Sequence, residues 1–273
     1  MRILFTGHKG TLGRELIPYL KENHDVQYYD VNYSSIENVN QFFRNREFDF
    51  IIHSAIRGGR RVRQDLPEDF YNNLIMFECL ASQAIPMINF CSGASYGRKR
   101  DIAKVDEKDF GKVIPDDYYG LSKYLITYRS RQMRHVYNLR FFNVFGPESP
   151  KDMFTTANIR NYINKKEIVI FKDRLMDFFG IDDTKKVVDL YLSGDKNLPK
   201  ELNLVYSESY YLSEVAAMIN NLSDYKVPID IFESGYEKSY SASGYELSKL
   251  DLNLDGLETS IKKCYQHYLN HAE

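Results

Sequence analysis

Residues 1–15 read Met1-Arg-Ile-Leu-Phe-Thr-Gly-His-Lys-Gly-Thr-Leu-Gly-Arg-Glu15. The apolar run at residues 3–5 is typical of a buried strand, and apolar residues at helical spacing begin at Leu12. Between them, glycines allow backbone N–H groups to approach an anion, and the helix N-terminus adds the positive end of its dipole. The stretch therefore predicts a strand, a glycine turn and a helix that bind a dinucleotide, although an ordinary glycine turn before a surface helix is the alternative. The expected cofactor contacts in this turn are Gly7, Lys9, Gly10, Thr11, Leu12 and Gly13.

The composition of the chain excludes several classes of protein. Its 273 residues are 43% hydrophobic, which suits an α/β unit with an appended lobe. The formal net charge of −2 gives no reason to expect nucleic acid or a membrane surface as partner. No apolar run is long enough to span a bilayer, and the polar stretch at 6–14 does not fit a signal peptide, so we expect a cytoplasmic protein. Cys79, Cys91 and Cys264 are scattered without ligand spacing, which indicates reduced thiols and no metal site.

Strand-like and helical patterns alternate through the first half of the chain. Strands are predicted at residues 26–29, 48–53, 86–91 and 136–142, and helices at 36–44, 66–82 and 118–134. This order predicts a Rossmann-type, doubly wound parallel sheet in the α/β class, with a smaller C-terminal lobe that binds substrate. We expect residues 1–147 to form mainly the dinucleotide-binding domain. Residues 148–273 would form mainly the second lobe, with a segment at about 176–195 returning to the first.

An acidic residue follows the second predicted strand. At that position a carboxylate accepts hydrogen bonds from the adenosine ribose and selects against a 2′-phosphate, so Asp30 favours NAD(H). Lys9, within the glycine turn, could instead pair with a 2′-phosphate, which leaves NADP(H) possible. An ordinary turn residue is the alternative interpretation of Asp30.

A tyrosine and a lysine four residues apart share one face of the helix predicted at 118–134. A lysine ammonium beside a phenol lowers the phenol's pKa and lets it exchange a proton near neutral pH. The chain holds three such pairs: Tyr119/Lys123, Tyr162/Lys166 and Tyr245/Lys249. The first is favoured because only Tyr119 follows the fourth strand by one loop and begins a long helix.

The segment Cys91-Ser-Gly-Ala-Ser-Tyr-Gly97 leaves the C-terminal end of the fourth predicted strand. Ligands of open α/β sheets bind at that edge, so Ser92 could hydrogen-bond a carbonyl or alcohol oxygen beside Tyr119. Turn chemistry is the alternative interpretation of Ser92 and Ser95.

Together these segments resemble the extended short-chain dehydrogenase/reductase family of nucleotide-sugar epimerases, dehydratases and reductases. The resemblance rests on six segments in order: Thr6-Gly-His-Lys-Gly-Thr-Leu-Gly13 (TGxxGxxG), Ile52-His-Ser-Ala55 (HxAA), Ser92-Gly-Ala-Ser-Tyr-Gly97, Tyr119-Gly-Leu-Ser-Lys123 (YxxSK), Leu139-Arg-Phe-Phe-Asn-Val-Phe-Gly-Pro147 (LRxxNVYGP) and Asp177-Phe-Phe-Gly-Ile-Asp-Asp183 (RDFIHVDD). Arg57-Gly58-Gly59 and Leu66-Pro-Glu-Asp-Phe70 are most similar to the GDP-L-fucose synthase-like 4-keto reductases within it.

The resemblance implies functional residues. Ser54, Ala55, Ile56, Asn73, Tyr119 and Lys123 would contact the cofactor, and Arg57, Ser92, Gly93, Ala94, Asn143 and Arg174 the substrate. The diphosphate would be bound by arginines among Arg57, Arg60, Arg61, Arg63 and Arg174, although most of those at 57–63 could be solvated loop charges. A turn residue is the alternative interpretation of Asn143.

Several positions depart from the family pattern. Gly93 and Ala94 stand where dehydratases carry an Asp-Glu pair, so 4,6-dehydration is not expected. The cysteine and histidine with which fucose synthases epimerise fall on Ala94 and near Ala157. Met176 replaces the arginine of RDFIHVDD, with Arg174 as a possible substitute.

These departures leave redox chemistry at one carbon, as a step of carbohydrate biosynthesis. In this hypothesis NADH reduces C4 of a nucleotide-linked 4-keto sugar, Tyr119 protonates the alkoxide, Lys123 holds the nicotinamide ribose and Ser92 fixes the carbonyl oxygen. A C4 epimerase with tightly bound NAD needs the same three residues and stays open, as does a non-catalytic dinucleotide-binding protein. The resemblance also implies a homodimer through the helices at 66–82 and 118–134, with Phe70, Phe77 and Leu80 covering both core and interface.

Overall fold

The computed structural model describes residues 1–59, 63–195 and 197–271. Contacts divide the chain into two units. The first contains Met1–Lys99, Glu107–Arg140 and Tyr191–Leu202, and the second contains Arg100–Asp106, Phe141–Leu190 and Asn203–Glu273. The first unit thus includes Tyr191–Leu202 from the later part of the chain, and the second includes the short segment Arg100–Asp106 from the earlier part.

Strands and helices alternate through most of the chain. In chain order they are β1 (Arg2–Thr6), α1 (Thr11–Leu20), β2 (Asp25–Gln27), α2 (Ile36–Phe43), β3 (Phe50–His53), α3 (Pro67–Ala81), β4 (Met87–Ser92), β5 (Ile102–Val105), α4 (Tyr118–Ser130), β6 (Val136–Phe141), β7 (Val144–Phe145), α5 (Phe154–Ile163), β8 (Ile168–Asp173), β9 (Leu175–Met176), β10 (Phe179–Gly180), α6 (Ile181–Leu192), β11 (Glu201–Leu204), β12 (Tyr210–Tyr211), α7 (Leu212–Asn220), β13 (Ile229–Tyr236), β14 (Tyr240–Ala242), α8 (Tyr245–Ser248) and α9 (Gly256–Asn270). Short 3-10 turns lie at Gly93–Tyr96 and Glu107–Asp109. Among the residues that the structure describes, no helix is both long and apolar enough to cross a membrane.

The first unit is built on a six-stranded sheet with the order β11-β6-β4-β3-β1-β2. β1 pairs in parallel with both β2 and β3, and β3 pairs in parallel with β4. Ile3, Leu4 and Phe5 are fully buried, as expected for a strand covered on both faces. This architecture confirms the predicted doubly wound α/β class.

Helices α2, α3 and α4 of the first unit start at, or within one residue of, the positions that the sequence predicts. Ser35 caps α2 by accepting a hydrogen bond from the Asn38 N–H at 3.3 Å, and Asp117 caps α4 by accepting one from Gly120 at 2.9 Å. Phe77 and Leu80 of α3 are fully buried in the core of this unit.

The second strand is shorter than predicted. β2 ends at Gln27, so Asp30 lies three residues beyond it instead of at its end. β2 is an edge strand that pairs only with β1 in the described sheet. The sequence predicts Tyr29 as part of this second strand. In the structure its ring packs edge-on against Phe42, with 5.0 Å between the ring centroids.

The second unit contains small sheets and several helices, of which α5, α7 and α9 pack against one another. One sheet has the order β12-β9-β14-β5, β7 pairs with β10, and β8 pairs with β13. Its core includes Phe145, Ile159, Phe178, Val215 and Ile261, contributed in part by α5, α7 and α9. These side chains supply the apolar interior that the shorter elements after residue 147 need.

Candidate active site

The glycine turn brings the ends of β1 and β3 together. A Cβ at Gly7 would lie 2.6 Å from the Ala55 nitrogen, and φ is +77° there, so only glycine fits. A Cβ at Gly13 would lie 2.5 Å from the His8 carbonyl oxygen. Gly10, the N-cap of α1, has no side chain that could satisfy the first amides of the helix. The turn therefore leaves the N–H groups of the helix N-terminus uncovered, because its glycines carry no side chains. Such a turn suits the binding of a dinucleotide phosphate.

The strand ends are held by a buried hydrogen-bonded set. Thr6 Oγ1 accepts a hydrogen bond from the Ala55 N–H at 3.2 Å and lies 2.8 Å from His53 Nδ1. Burial, assisted by the charge of Lys123, lowers the pKa of His53 to about 3, so its imidazole is neutral at pH 7. The segment 54–56, predicted to contact the cofactor, is thereby fixed against the glycine turn.

Lys9 and Asp30, which were expected to act on cofactor choice in opposite directions, form one ion pair. Lys9 Nζ lies 2.8 Å from Asp30 Oδ2, and His8 Nε2 lies 3.5 Å from Oδ1. The hydrogen bond from Lys9 holds the pKa of Asp30 below its ordinary value. Both side chains are largely exposed, so a ribose hydroxyl or a 2′-phosphate can reach either partner.

The first turn of α4 packs on the 3-10 turn that follows β4. A Cβ at Gly120 would lie 2.9 Å from the Ala94 carbonyl oxygen, so glycine permits this approach. Lys123 Nζ donates to the Phe90 carbonyl oxygen at 2.9 Å, and Ser92 Oγ accepts from the Ala94 N–H at 3.2 Å. The structure thus places the three predicted catalytic residues on two elements in direct contact.

Lys123 is buried, with 4% of its surface exposed. Its Nζ lies 6.0 Å from the centroid of the Tyr119 ring. Burial lowers the pKa of Lys123, against the influence of Cys91. An ammonium held this way is a preorganised donor for a ligand hydroxyl and a fixed charge near the phenol.

Asn73 connects α3 to the segment after β3. Its Oδ1 accepts from the Arg57 N–H at 2.8 Å, and its Nδ2 donates to the Arg57 carbonyl oxygen at 2.9 Å. Nδ2 also lies 3.4 Å from Ser122 Oγ, and Ser122 is on α4. The structure therefore shows Asn73 holding the backbone of the site, and the cofactor contact expected of it stays a prediction.

The predicted substrate residues fall in both units. Gly93 and Ala94 are buried in the 3-10 turn, and the Arg57 side chain is exposed. Asn143 belongs to the second unit, where its Nδ2 donates to the Asp177 carbonyl oxygen at 2.8 Å. Arg174 also belongs to the second unit and lies 3.4 Å from Glu237. Among the other arginines considered for the diphosphate, Arg63 pairs with Asp69 at 2.9 Å, and Arg60 and Arg61 lie outside the described residues.

The two other Tyr-x-x-x-Lys pairs have different surroundings. Tyr162 is fully buried, and its hydroxyl lies 2.8 Å from Ser223 Oγ in the core of the second unit. Tyr245 is exposed, and Lys249 Nζ lies 4.0 Å from its ring centroid. Tyr119, in contrast, lies on the helix turn that packs against the 3-10 turn after β4.

Sequence reasoning missed the charged residues around Tyr119. Arg98, whose Cζ lies 5.1 Å from the Tyr119 ring centroid, pairs with both Asp65 and Asp117. Only their positions in the sequence could have indicated a role, since Arg98 directly follows the Ser92-to-Gly97 motif and Asp117 stands two residues before Tyr119.

A Tyr-Lys pair on a helix beside a serine turn and a glycine-rich turn between a strand and a helix are both typical of dinucleotide-dependent enzymes of the α/β class. Residues 3–204 match the model of the NAD dependent epimerase/dehydratase family. The chain belongs to this family, which confirms the resemblance inferred from the motifs and the expected nicotinamide dinucleotide cofactor.

Individual relatives are distant. The chain is 27% identical over 166 residues to the uncharacterized UDP-glucose epimerase YtcB of Bacillus subtilis (strain 168), a match that covers 56% of this chain and 50% of that relative. Two solved structures share the fold over nearly all of both chains. The GDP-L-fucose synthetase from Naegleria fowleri bound to NADP has a TM-score of 0.81 at 16% identity, with 99% of this chain and 93% of that chain covered. MlghC, a GDP-mannoheptose C4 reductase from Campylobacter jejuni with NADP bound, has a TM-score of 0.83 at 17% identity, with 98% of both chains covered.

Proposed function

We propose that this protein reduces the 4-keto group of a nucleotide-linked sugar with NAD(P)H. The observation that carries the proposal is the contact between the α4 turn bearing Tyr119 and the turn bearing Ser92. These two elements can place a proton donor and a carbonyl-binding hydroxyl on the same substrate oxygen. The named relatives, a fucose synthetase and a C4 reductase among them, support this reaction class.

The cofactor would be held by the glycine turn, Asp30 and Lys123, and when bound it supplies a hydride. Tyr119 donates a proton to the sugar oxygen as negative charge develops there. Ser92 binds the same oxygen, and its Oγ is oriented by the bond from the Ala94 N–H. Lys123 binds the nicotinamide ribose and stabilises the phenolate that remains after proton transfer.

The residues beside Ser92 support reduction over elimination. Gly93 and Ala94 offer no acid or base where the family's dehydratases carry two carboxylates, and Ala157 offers no histidine. Ala94 is also buried, with 1% of its surface exposed. The site is accordingly proposed to change the oxidation state of C4 only, with Arg57 as a proposed ligand of the substrate diphosphate.

The second candidate is a C4 epimerase with captive NAD. It is favoured by the similarity to the uncharacterized UDP-glucose epimerase of Bacillus subtilis, and it uses the same Ser92, Tyr119 and Lys123. A reductase must exchange its cofactor in each cycle, whereas this epimerase retains it. NAD that stays bound through purification would therefore favour the epimerase.

We also propose a homodimer in a reducing, cytoplasmic compartment. Cys79, Cys91 and Cys264 are buried free thiols, which supports that compartment. The expected interface helices α3 and α4 carry the exposed side chains of Tyr71, Ile75 and Tyr128. Phe77 and Leu80, which were also expected at the interface, are buried in the core of the first unit.

The proposal is tested by absorbance at 340 nm with NADH, and then NADPH, against nucleotide-linked 4-keto-6-deoxy sugars. We expect cofactor oxidation with at least one nucleotide. Tyr119→Phe is expected to lose at least about 100-fold in kcat, and Tyr128→Phe is the matched control because that tyrosine is exposed on the same helix. Stable absorbance with every substrate would refute the reductase.

A further inference from the structure

The backbone at Gly59 lies directly on the ring of Tyr119. A Cβ at Gly59 would lie 2.7 Å from Cε2 and 2.8 Å from Cζ, the ring carbon that bears the hydroxyl. Gly59 also has φ +78°, which disfavours any other residue. The segment after β3 therefore limits where the phenol can sit.

A carboxylate fixes this segment. The Gly59 N–H donates to Asp65 Oδ1 at 2.6 Å, and Asp65 Oδ2 lies 2.5 Å from Arg98 Nη2. The Asp65 side chain is only 8% exposed, so the carboxylate needs a cationic partner.

A second carboxylate fixes the turn that carries the tyrosine. Asp117 caps α4 by accepting from the Gly120 N–H, and its Oδ1 lies 2.8 Å from the same Arg98 Nη2. Burial by itself would lower the pKa of Arg98, but Asp117 and Asp65 hold it above its ordinary value. One guanidinium nitrogen thus links the segment that covers Tyr119 to the helix turn that carries it.

We propose that Arg98 is a positioning residue for Tyr119, an inference that rests on the proposed function. By bridging Asp65 and Asp117, Arg98 keeps the Gly59 backbone and the first turn of α4 in one arrangement. Loss of the bridge leaves two partly buried carboxylates in mutual repulsion, and both segments are then free to move apart. Displacement of a proton donor by about 1 Å costs on the order of 100-fold in rate.

The test compares Arg98→Gln and Arg98→Lys with Arg129→Gln, which removes a different α4 ion pair, the one with Glu78. We expect Arg98→Gln to lower kcat by about 10- to 100-fold while KM for the cofactor changes less than about threefold. Arg98→Lys is expected to recover most of the loss, because one nitrogen contacts both carboxylates. Arg129→Gln should resemble wild type.

Amide hydrogen exchange gives a readout that needs no substrate. In Arg98→Gln, the Gly59 and Gly120 amides should exchange faster, while the amides of β1 and β3 remain as in wild type. Equal exchange at Gly59 and Gly120 in both proteins would overturn the inference, as would a wild-type kcat in Arg98→Gln. If wild type turns over no substrate, the proposed function fails, and the exchange rates alone decide whether Arg98 couples the two segments.

Discussion

Single residues determine how the protein responds to pH. Asp177, in the second unit, is 3% exposed, and one of its oxygens accepts from the Ala242 N–H at 2.7 Å. Burial raises the pKa of Asp177 to about 6, although hydrogen bonds from Ala242 and Ser209 oppose the shift. The folded state therefore binds a proton more tightly than the unfolded chain does. The stability this contributes is fully present below the unfolded pKa of 3.8 and is lost as pH rises through about 6.

Asp177→Asn removes this penalty at high pH. We expect the free energy of unfolding at pH 8 to rise by about 2 kcal/mol, with little change at pH 4. Urea unfolding at the two pH values measures the difference, and Asp189→Asn, an exposed carboxylate in α6, is the control. Equal destabilisation at both pH values would contradict the proposed desolvation of Asp177.

We expect the choice between NADH and NADPH also to depend on single residues. Lys9 offsets the charge of Asp30 in the exposed ion pair. In Lys9→Met the Asp30 carboxylate loses its lysine partner and repels a 2′-phosphate more strongly, so the Kd for NADPH is expected to rise about tenfold and that for NADH to change less than about twofold. Fluorescence titration with both cofactors measures this, and an equal loss for the two would refute a role of Lys9 at the 2′ position.

At this scale, sequence reasoning reached the residues whose neighbours are local. Tyr119 and Lys123 share a helix face by spacing alone, and their contact with the Ser92 turn follows from their place after β4. Arg98 was missed because its partner Asp65 is 33 residues away, and nothing in the spacing predicts that the two meet.

Among the secondary-structure elements, the connection between β1 and α1 and the first turn of that helix contain two glycines, Gly10 and Gly13, whose surroundings differ. A Cβ at Gly13 would overlap the His8 carbonyl oxygen at 2.5 Å, whereas one at Gly10 would lie 3.3 Å from the Gly7 oxygen. Gly13→Ala is expected to lower the free energy of unfolding by about 2–3 kcal/mol, and Gly10→Ala by about 1 kcal/mol or less. Urea unfolding without cofactor measures both variants, and equal losses would show that the packing of α1 on the turn is looser than described.

The elements that the sequence predicted poorly depend on distant partners. β5 was not predicted, since only Ile102 of its residues is buried and Lys104 has φ +50°. It becomes a strand by pairing with β14, where Tyr240 lies opposite Ile102, more than 130 residues along the chain. The central strands were predicted because burial on both faces makes their sequences continuously apolar. This pattern can be recognised without knowing which strands pair with each other.

We expect the protein as a whole to self-associate through α3 and α4. Ile75 of α3 is 42% exposed, and Ile231 of β13 is 46% exposed. Because the two isoleucines are similarly exposed, substitution of Ile231 is a control for substitution of Ile75. Ile75→Arg is expected to convert a dimer to a monomer because it places a charge in an apolar interface, whereas Ile231→Arg should remain dimeric. Light scattering after size-exclusion chromatography measures the mass. A wild-type monomer, or a dimer that only Ile231→Arg disrupts, would refute the proposed interface.

We propose that external NAD(P)H gives its hydride to C4 of a nucleotide-linked sugar. The most direct test supplies cofactor deuterated at the transferable position of the nicotinamide and reads the product by NMR and mass spectrometry. A reductase is expected to yield product with one deuterium at C4, and Tyr119→Phe to yield almost none. Product that carries no deuterium at C4 would contradict the account, because an enzyme that recycles captive NAD returns the hydride that it took from the substrate.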